Sequence, residues 1–221
     1  MSDPLRLMPG PGETALMTIR HGLTELNRDK RVGGRIDVPL IDEGRAQARE
    51  AAQRFAGTPL DVVITSPLRR SIETAELVTG WSRDRLEVDE GCIERSFGAM
   101  EGMDPAEVPV RFPHVRYLRI GHIGYSLNPP GGESFEALHE RAQRFLDGVL
   151  ARHPGERGAV FSHQNFLQQM HGVIRGQDPF HALGSDILNC ELNAFLLGSD
   201  GRLLQEATVQ LVHSAGDHTS F

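Results

Sequence analysis

The run Thr14-Ala-Leu-Met-Thr-Ile19 is short and apolar, and Arg20-His21-Gly22 follows it directly. An apolar run of this length is typical of a buried strand. Asp61-Val-Val-Ile-Thr65 and Ala159-Val-Phe-Ser162 have the same form. Segments with a helical spacing of apolar residues separate these runs, so strands alternate with helices. This alternation predicts an α/β fold, built as a three-layer sandwich with a mainly parallel central sheet.

The rest of the chain is arranged around this framework. Helices are predicted over residues 42–55, 66–78, 133–151 and 165–174, and further strands over 86–89, 190–197 and 203–212, the last two as a hairpin. Residues 98–132 hold many prolines and glycines, which predicts a loop-rich lid insertion with a short helix or two. We expect residues 1–13 to be a flexible N-terminal arm and residues 14–221 to form a single domain.

The composition excludes several classes of protein. The 221 residues carry a net charge of −7, and an acidic chain of this kind is not expected to bind nucleic acid. The sequence has no apolar run of the length that spans a membrane. Cys92 and Cys190 are far apart and form no Cys-x-x-Cys pattern, so a cytoplasmic location is expected. No metal-ligand spacing is visible, so no cofactor is expected, and a homodimer is left open.

Three polar segments each follow a predicted strand: Arg20-His21, Ser66 and His163. The carboxyl ends of parallel strands meet at one edge of a sheet, where ligands bind, so we expect these side chains to converge. A histidine can act as a nucleophile, and an adjacent arginine can pair phosphate oxygens through its planar guanidinium group. Because Gly22 has no side chain, the backbone can approach the phosphate and can hold the imidazole ring by its other nitrogen. An isolated Arg-His-Gly would be weak support for this chemistry.

Longer motifs strengthen the interpretation. Arg20-His-Gly-Leu-Thr-Glu-Leu-Asn27 resembles the signature Arg-His-Gly-x-Thr-x-x-Asn of the histidine phosphatase (phosphoglycerate mutase-like) superfamily. Ser66-Pro-Leu-Arg-Arg-Ser-Ile-Glu-Thr-Ala75 is similar to the family pattern Ser-Pro-Leu-x-Arg-Ala-x-x-Thr-Ala, with serine at position 71. The segment from Gly33 to Ala48 also resembles the family, with Gly33 in place of a glutamine and Ile41 in place of a threonine.

Two further segments complete the resemblance. Glu94-Arg-Ser-Phe-Gly-Ala-Met-Glu-Gly102 is similar to the pattern Glu-x-x-Phe-Gly-x-x-Glu-Gly, whose first glutamate is the general acid. Val160-Phe-Ser-His-Gln164 resembles a strand end whose histidine contacts phosphate, but Gln164 stands where the family has glycine. Gln164 is expected to add a donor to the pocket or to narrow it. The catalytic residues that the resemblance implies are His21, Glu94, His163, Arg20 and Arg70, and the substrate-binding residues are Arg20, Asn27, Thr24, Gly33, Gly34, Arg70, His163 and Gln164.

Other polar residues receive structural roles. We expect Glu101 and Glu133 to hold loops together and Ser134 or Gly132 to cap the following helix. Most of the remaining histidines are expected at the surface. Two of them, His114 and His122, fall in the lid, where they could touch substrate. The others are His139, His153, His171, His181, His213 and His218.

The resemblance implies a metal-independent phosphomonoesterase that acts on a small phosphorylated metabolite through a phosphohistidine at His21. One alternative is a phosphoglycerate mutase. Family mutases carry His-Tyr-Gly where this chain has Ser96-Phe-Gly98, and the lid arginines, Arg111, Arg116 and Arg119, do not form the mutase pattern. The other alternative is a member that has lost catalysis and only binds ligands, which Gln164 keeps open.

Overall fold

A six-stranded sheet runs through the protein, whose computed structural model describes residues 4–212. The strands of this sheet are β1 (Thr14–Arg20), β2 (Val62–Thr65), β3 (Glu87–Val88), β6 (Arg157–Ser162), β7 (Glu191–Leu197) and β8 (Leu203–Gln210). Two further strands, β4 (Tyr117–Ile120) and β5 (Ile123–Ser126), pair with each other in a separate sheet. The helices are α1 (Glu25–Arg28), α2 (Asp42–Phe55), α3 (Arg69–Thr79), α4 (Val108–Arg111), α5 (Phe135–Arg152) and α6 (Gln164–Ile174).

The strand order in the sheet is β3-β2-β6-β1-β7-β8. The first four strands pair in parallel, whereas β7 and β8 form the expected antiparallel hairpin at the other side. The predicted α/β class and the mainly parallel sheet are therefore confirmed. Strand β1 lies between β6 and β7, which places its carboxyl end beside the carboxyl end of β6.

Helices cover both faces of the sheet and bury a separate apolar core on each. Successive side chains of a strand point to opposite faces, and the neighbours Leu16 and Met17 accordingly enter different cores. Leu16 packs with side chains of α5 and α6, and Met17 with side chains of α2 and α3. These layers form the predicted three-layer sandwich, and both cores hold the strand ends of the site in place.

Helix α3 begins later than expected. The sequence predicted a helix from position 66, but Ser66, Pro67 and Leu68 form a turn and the helix starts at Arg69. The Leu68 backbone is extended, and its N–H donates to Ser66 Oγ over 3.3 Å. The residue before a proline is biased toward extended backbone, which here keeps Ser66 at the end of β2 and out of the helix.

The lid, residues 98–132, is more regular than predicted. Besides α4 it contains an antiparallel hairpin of β4 and β5, which the proline and glycine content obscured. Its two ends meet, because Ala99 N–H donates to Pro130 O over 2.9 Å and Glu133 N–H donates to Ser96 O over 2.9 Å. The lid therefore leaves the body of the domain and returns to it at one place.

The described part of the N-terminal arm differs from the expected loose segment. Leu5 and Leu7 are buried, and Arg157 donates to the carbonyl oxygen of Leu5. The sequence gives little sign of this packing because leucines in so short a segment show no periodicity. Residues 1–3 and 213–221, including His213 and His218, lie outside the described residues. In residues 4–212, no helix is both long and apolar enough to cross a bilayer.

Candidate active site

His21 directly follows β1 and is buried. Its Nδ1 lies 2.7 Å from the carbonyl oxygen of Gly22, which can only accept a hydrogen bond. Nδ1 therefore carries the proton, and Nε2 keeps its lone pair. Burial, with the neighbouring charges of Arg70 and Arg20, lowers the pKa of His21 well below its ordinary value of 6.5. The ring is thus neutral at neutral pH, as a nucleophile must be.

Gly22 permits this arrangement because it allows a close approach of two backbone segments. A Cβ atom on Gly22 would lie 2.7 Å from the carbonyl oxygen of Gly44 in α2. The Gly22 N–H donates to Thr74 Oγ1 of α3 over 3.0 Å. Gly22 is therefore fixed between α2 and α3, which orients the imidazole of His21.

His163 follows β6, and its ring centroid lies 5.1 Å from that of His21. Its Nδ1 accepts from Arg70 Nε over 3.2 Å, so the proton is on Nε2, which lies 2.7 Å from Ser66 Oγ. Burial and the charge of Arg70 lower the pKa of His163 well below 6.5. The predicted convergence of Arg20-His21, Ser66 and His163 at one edge of the sheet is therefore observed.

Arg70 connects His163 to the glycine-rich loop. Its Nη2 donates to Gly34 O and its Nη1 to Ile36 O, each over 2.7 Å. Burial lowers the pKa of Arg70 to about 10, which leaves the guanidinium group charged at neutral pH. Gly34 has a φ of +54°, and a Cβ atom there would lie 2.4 Å from a carboxylate oxygen of Glu101, so this loop requires glycine.

Arg20 is fully buried. Its Nη1 donates to the carbonyl oxygen of Ile187 over 2.5 Å. Burial lowers the pKa of Arg20, and Asp186 and Glu94 oppose this effect. Arg20, like His163, does not line the small pocket that contains His21. The charge of Arg20 lowers the pKa of both histidines, and the contact of Arg20 and His163 with phosphate stays a prediction.

Glu94 follows β3 in the chain, and its buried side chain lies against the N-terminus of α6. Three backbone N–H groups donate to its carboxylate, those of Arg95 over 2.7 Å, Phe166 over 3.1 Å and Asn165 over 3.3 Å. A carboxylate is favoured at a helix N-terminus, where the N–H groups have no partner inside the helix. These contacts hold Glu94 at the wall of the pocket that contains His21.

Thr24 and Asn27 face the same pocket because they cap one short helix. Thr24 Oγ1 accepts from Asn27 N–H, and Asn27 Oδ1 accepts from Thr24 N–H over 3.2 Å, which forms a capping box.

The pocket that contains His21 has a volume of about 20 Å³. It is lined by His21, Thr24, Leu26, Asn27, Gly33, Gly34, Arg70, Glu94, Phe97 and Asn165. In residues 4–212, no cluster of side chains suited to holding a metal ion is found.

The expectation for Gln164 needs correction. Gln164 does not line the pocket that contains His21, and its Nε2 donates to Asp186 Oδ1 over 3.0 Å. The side chain turns this way because Gln164 is the first residue of α6 and is buried against the loop before β7. Gln164 therefore braces α6 from outside the pocket.

The same loop, residues 185–190, holds the backbone of Arg20 and His21, and the sequence did not predict this role. Asn189 Nδ2 donates to His21 O over 2.7 Å, and Cys190 N–H donates to Arg20 O over 3.0 Å. Cys190 has a φ of +56°, which is unusual for a residue other than glycine. The only sequence signal was an asparagine just before a strand, which is typical of many turns.

The other polar residues mostly have the structural roles expected. Glu101 accepts from Phe97 N–H over 2.9 Å, Glu133 pairs with Arg141 over 2.8 Å, and Ser134 caps α5. The surface location expected for His171 is wrong. This ring is buried in α6, 2.8 Å from Thr18 Oγ1, and burial lowers its pKa to about 3.

The chain is similar in sequence to known proteins over most of its length. A family model described as the histidine phosphatase superfamily (branch 1) matches residues 16–209. A bifunctional protein of Mycobacterium tuberculosis is 31% identical over 208 residues, which cover 92% of this chain and 54% of that protein. Phosphoglycerate mutase-like protein 4 of Arabidopsis thaliana is 31% identical over 186 residues, which cover 82% of this chain and 79% of that protein. The chain therefore spans about half the length of the mycobacterial relative.

A solved structure shares the fold. A histidine-to-alanine variant of phosphoserine phosphatase from Entamoeba histolytica superposes with a TM-score of 0.70 at 22% identity, covering 93% of this chain and 98% of that chain. The family match agrees with the structure, in which four residues of the family motifs meet at one edge of the sheet: His21, His163, Arg70 and Glu94. The chain belongs to the histidine phosphatase superfamily.

Proposed function

We propose that this protein is a metal-independent phosphomonoesterase that acts on a small phosphorylated metabolite. The observation that carries this proposal is the neutral His21, whose Nδ1 is bound to the Gly22 carbonyl oxygen while the ring faces a pocket lined by Arg70 and Glu94. A nucleophile fixed in one tautomer needs no further activation at neutral pH. The small pocket suits a phosphoryl group.

The reaction proceeds in two steps. His21 Nε2 attacks phosphorus, the bond to the leaving oxygen breaks, and Glu94 gives that oxygen a proton. The cationic Arg70 and Arg20, with His163, stabilise the charge on the phosphoryl oxygens. Glu94 then takes a proton from water, which attacks the phosphohistidine and releases inorganic phosphate. The two cations supply the charge stabilisation that a metal ion provides in other phosphatases.

A mutase is the second candidate, since one relative is named phosphoglycerate mutase-like. Ser96-Phe97-Gly98 differs from the mutase run His-Tyr-Gly. Of the three lid arginines only Arg119 lines a pocket, whereas Arg111 and Arg116 are exposed and line neither, which favours water as the acceptor. Incubation of the labelled phosphoenzyme with glycerate phosphates separates the two candidates. We expect the label in inorganic phosphate, and label in a second glycerate ester would establish the mutase.

Rapid quenching tests the nucleophile directly. Wild-type protein mixed with a ³²P-labelled phosphate ester in excess EDTA should accumulate an acid-labile phosphoenzyme and turn over at the same rate as without EDTA. His21→Ala should abolish both, because no other group replaces Nε2 in the pocket. Arg69→Ala is the matched control, since Arg69 lies on the exposed side of α3 and pairs with Asp37. Labelling of His21→Ala, or activity that EDTA removes and a divalent ion restores, would contradict the proposal.

A further inference from the structure

The catalytic pocket is too small for a whole phosphate ester. It has a volume of about 20 Å³, but it opens beside a second cleft of about 270 Å³. Phe97 and Asn165 line both spaces. If a phosphoryl group lies against His21, as the proposed function requires, the alcohol to which it is bound extends past Phe97 into this cleft. The larger space, which we name the lid cleft, is therefore the place where the leaving group is selected.

The walls of the lid cleft are mostly apolar. They include Val32, Phe97, Met100, Val108, Tyr117 and Tyr125. Its volume lies just below the range of about 300–1,000 Å³ that is typical of small-molecule pockets. A small polar alcohol such as glycerate would leave these walls in contact with water, whereas a ring-sized apolar group would cover them and gain the hydrophobic free energy of burial.

The hairpin of β4 and β5 gives the lid cleft its shape. Exposure alternates along β4, so Tyr117 and Arg119 share one face while Leu118 and Ile120 pack against the core. Arg119 lies opposite Gly124 of β5 in the strand register. Because Gly124 has no side chain, this part of the cleft floor is open.

The charge of the lid cleft is positive. Arg95 and Arg119 line it, and of the residues that the structure describes no aspartate or glutamate does so. Arg119 is exposed and forms no hydrogen bond or ion pair through its side chain within residues 4–212. A cation of this kind, on the rim of an apolar cleft in a protein of net charge −7, is available to pair with an anion of the ligand.

We propose that the lid cleft binds the alcohol part of the substrate, and that the substrate is a phosphate monoester of an alcohol with an apolar, ring-sized body and a negatively charged group at its far end. The apolar walls hold the body and Arg119 pairs with the charge. This inference rests on the proposed function, because it places the phosphate at His21.

Matched substrates test the apolar part. The esters 2-phenylethyl phosphate and ethyl phosphate both release a primary alkoxide, so their rates differ by binding of the phenyl group and little by leaving-group chemistry. Wild-type protein should show a kcat/KM roughly 10- to 100-fold higher for the phenyl ester. Gly124→Val fills the cleft floor, where a Cβ atom meets only Tyr117 at 3.6 Å, and should remove most of this preference.

Gly184→Val is the control for this substitution, since a Cβ atom on Gly184 meets no heavy atom within 4 Å and Gly184 does not line the cleft. It should keep the preference of the wild type. Equal kcat/KM for the two esters in wild-type protein, or an undiminished preference in Gly124→Val, would overturn the assignment of the lid cleft.

A second pair of substrates tests the charge. Wild-type protein should prefer 2-(4-carboxyphenyl)ethyl phosphate over 2-phenylethyl phosphate by about tenfold, and Arg119→Gln should abolish this preference through KM. A preference that survives in Arg119→Gln would overturn the role of Arg119.

Binding of non-hydrolysable analogues separates failure of this inference from failure of the proposed function. Calorimetry should give a lower Kd for 3-phenylpropylphosphonate than for propylphosphonate in wild-type protein and equal values in Gly124→Val. If neither ester is hydrolysed but this difference is found, the proposed function is wrong and the lid cleft stands. If both esters are hydrolysed but the Kd values are equal in wild-type protein, the lid cleft is wrong and the proposed function stands.

Discussion

At the scale of single residues, the site places the carboxyl group of Glu94 and the neutral ring of His21 in a pocket of about 20 Å³, which admits little water. Glu94 is held by backbone N–H groups at the start of α6, and His21 by the backbone carbonyl of the residue that follows it. Neither depends on a flexible side chain for its position. Preorganisation of this kind is what makes proton transfer and nucleophilic attack efficient in a closed site.

The need for Glu94 should depend on the leaving group. A p-nitrophenolate leaves without a proton, whereas an alkoxide does not, so Glu94→Gln should slow phosphoenzyme formation from 2-phenylethyl phosphate by about 100-fold or more and from p-nitrophenyl phosphate far less. The second step should slow for both esters, because Glu94 is also the base toward water. Burst amplitudes and rates in a quenched-flow instrument measure the two steps separately.

Glu101→Gln is the control for this experiment, since Glu101 accepts from the Phe97 N–H and supports a loop. It should affect both esters alike. An equal loss of the burst for both esters in Glu94→Gln would mean that Glu94 only holds the site together.

At the scale of elements, the loop of residues 185–190 supports the ends of β1 and β6. It receives hydrogen bonds from Arg20 and Gln164 and gives hydrogen bonds to the carbonyl oxygens of Arg20 and His21. Residues of the loop between α6 and β7 thus position His21, which follows β1. This link between distant parts of the chain is a property of the fold and has no local sequence pattern.

Asn189→Ala should reveal this support. Loss of the hydrogen bond to His21 O lets the backbone of the nucleophile move, so kcat should fall by about tenfold while KM changes little. Asn193→Ala is a matched control, because Asn193 is an equally buried asparagine that bonds to Thr208 and Glu191. It should lose comparable stability and keep its kcat. An unchanged rate of phosphoenzyme formation in Asn189→Ala would contradict the positioning role.

At the scale of the whole molecule, three buried neutral histidines make folding sensitive to acid. The pKa values of His21, His163 and His171 are all lowered in the folded protein. Unfolding returns each ring to its ordinary value of 6.5, so below that pH the unfolded chain binds protons that the folded chain does not. Stability is therefore fully present above pH 6.5 and is lost as the pH falls toward the folded pKa values.

His171→Gln isolates one of these protons, since a glutamine can still pair with Thr18. Between about pH 4.5 and pH 6 the free energy of unfolding should vary less steeply with pH than in wild-type protein, by up to about 1.4 kcal/mol per pH unit. Urea denaturation at several pH values measures the slope. An identical slope in the two proteins would mean that His171 is charged in the folded state.

Part of this architecture was predictable from the sequence. The strands before His21, Ser66 and His163 are short apolar runs, and their shared direction in a parallel sheet implied the meeting of the three polar groups. The β4-β5 hairpin was not predicted, because glycine and proline around it hid the alternation of Tyr117 and Arg119 with their neighbours. The orientation of Gln164 could not be predicted either, since it depends on Asp186, which lies 22 positions away.

The joined ends of the lid affect how the sequence of this protein can diverge in evolution. Because Ala99 and Pro130 are hydrogen-bonded to each other, the chain between them can be shortened, lengthened or replaced while the two attachment points stay where they are. The residues that we propose to transfer phosphate lie outside this segment. Grafting the segment from a relative onto the same stem would then exchange the range of alcohols that is accepted, so that descendants of one scaffold can acquire new substrates without rebuilding their chemistry.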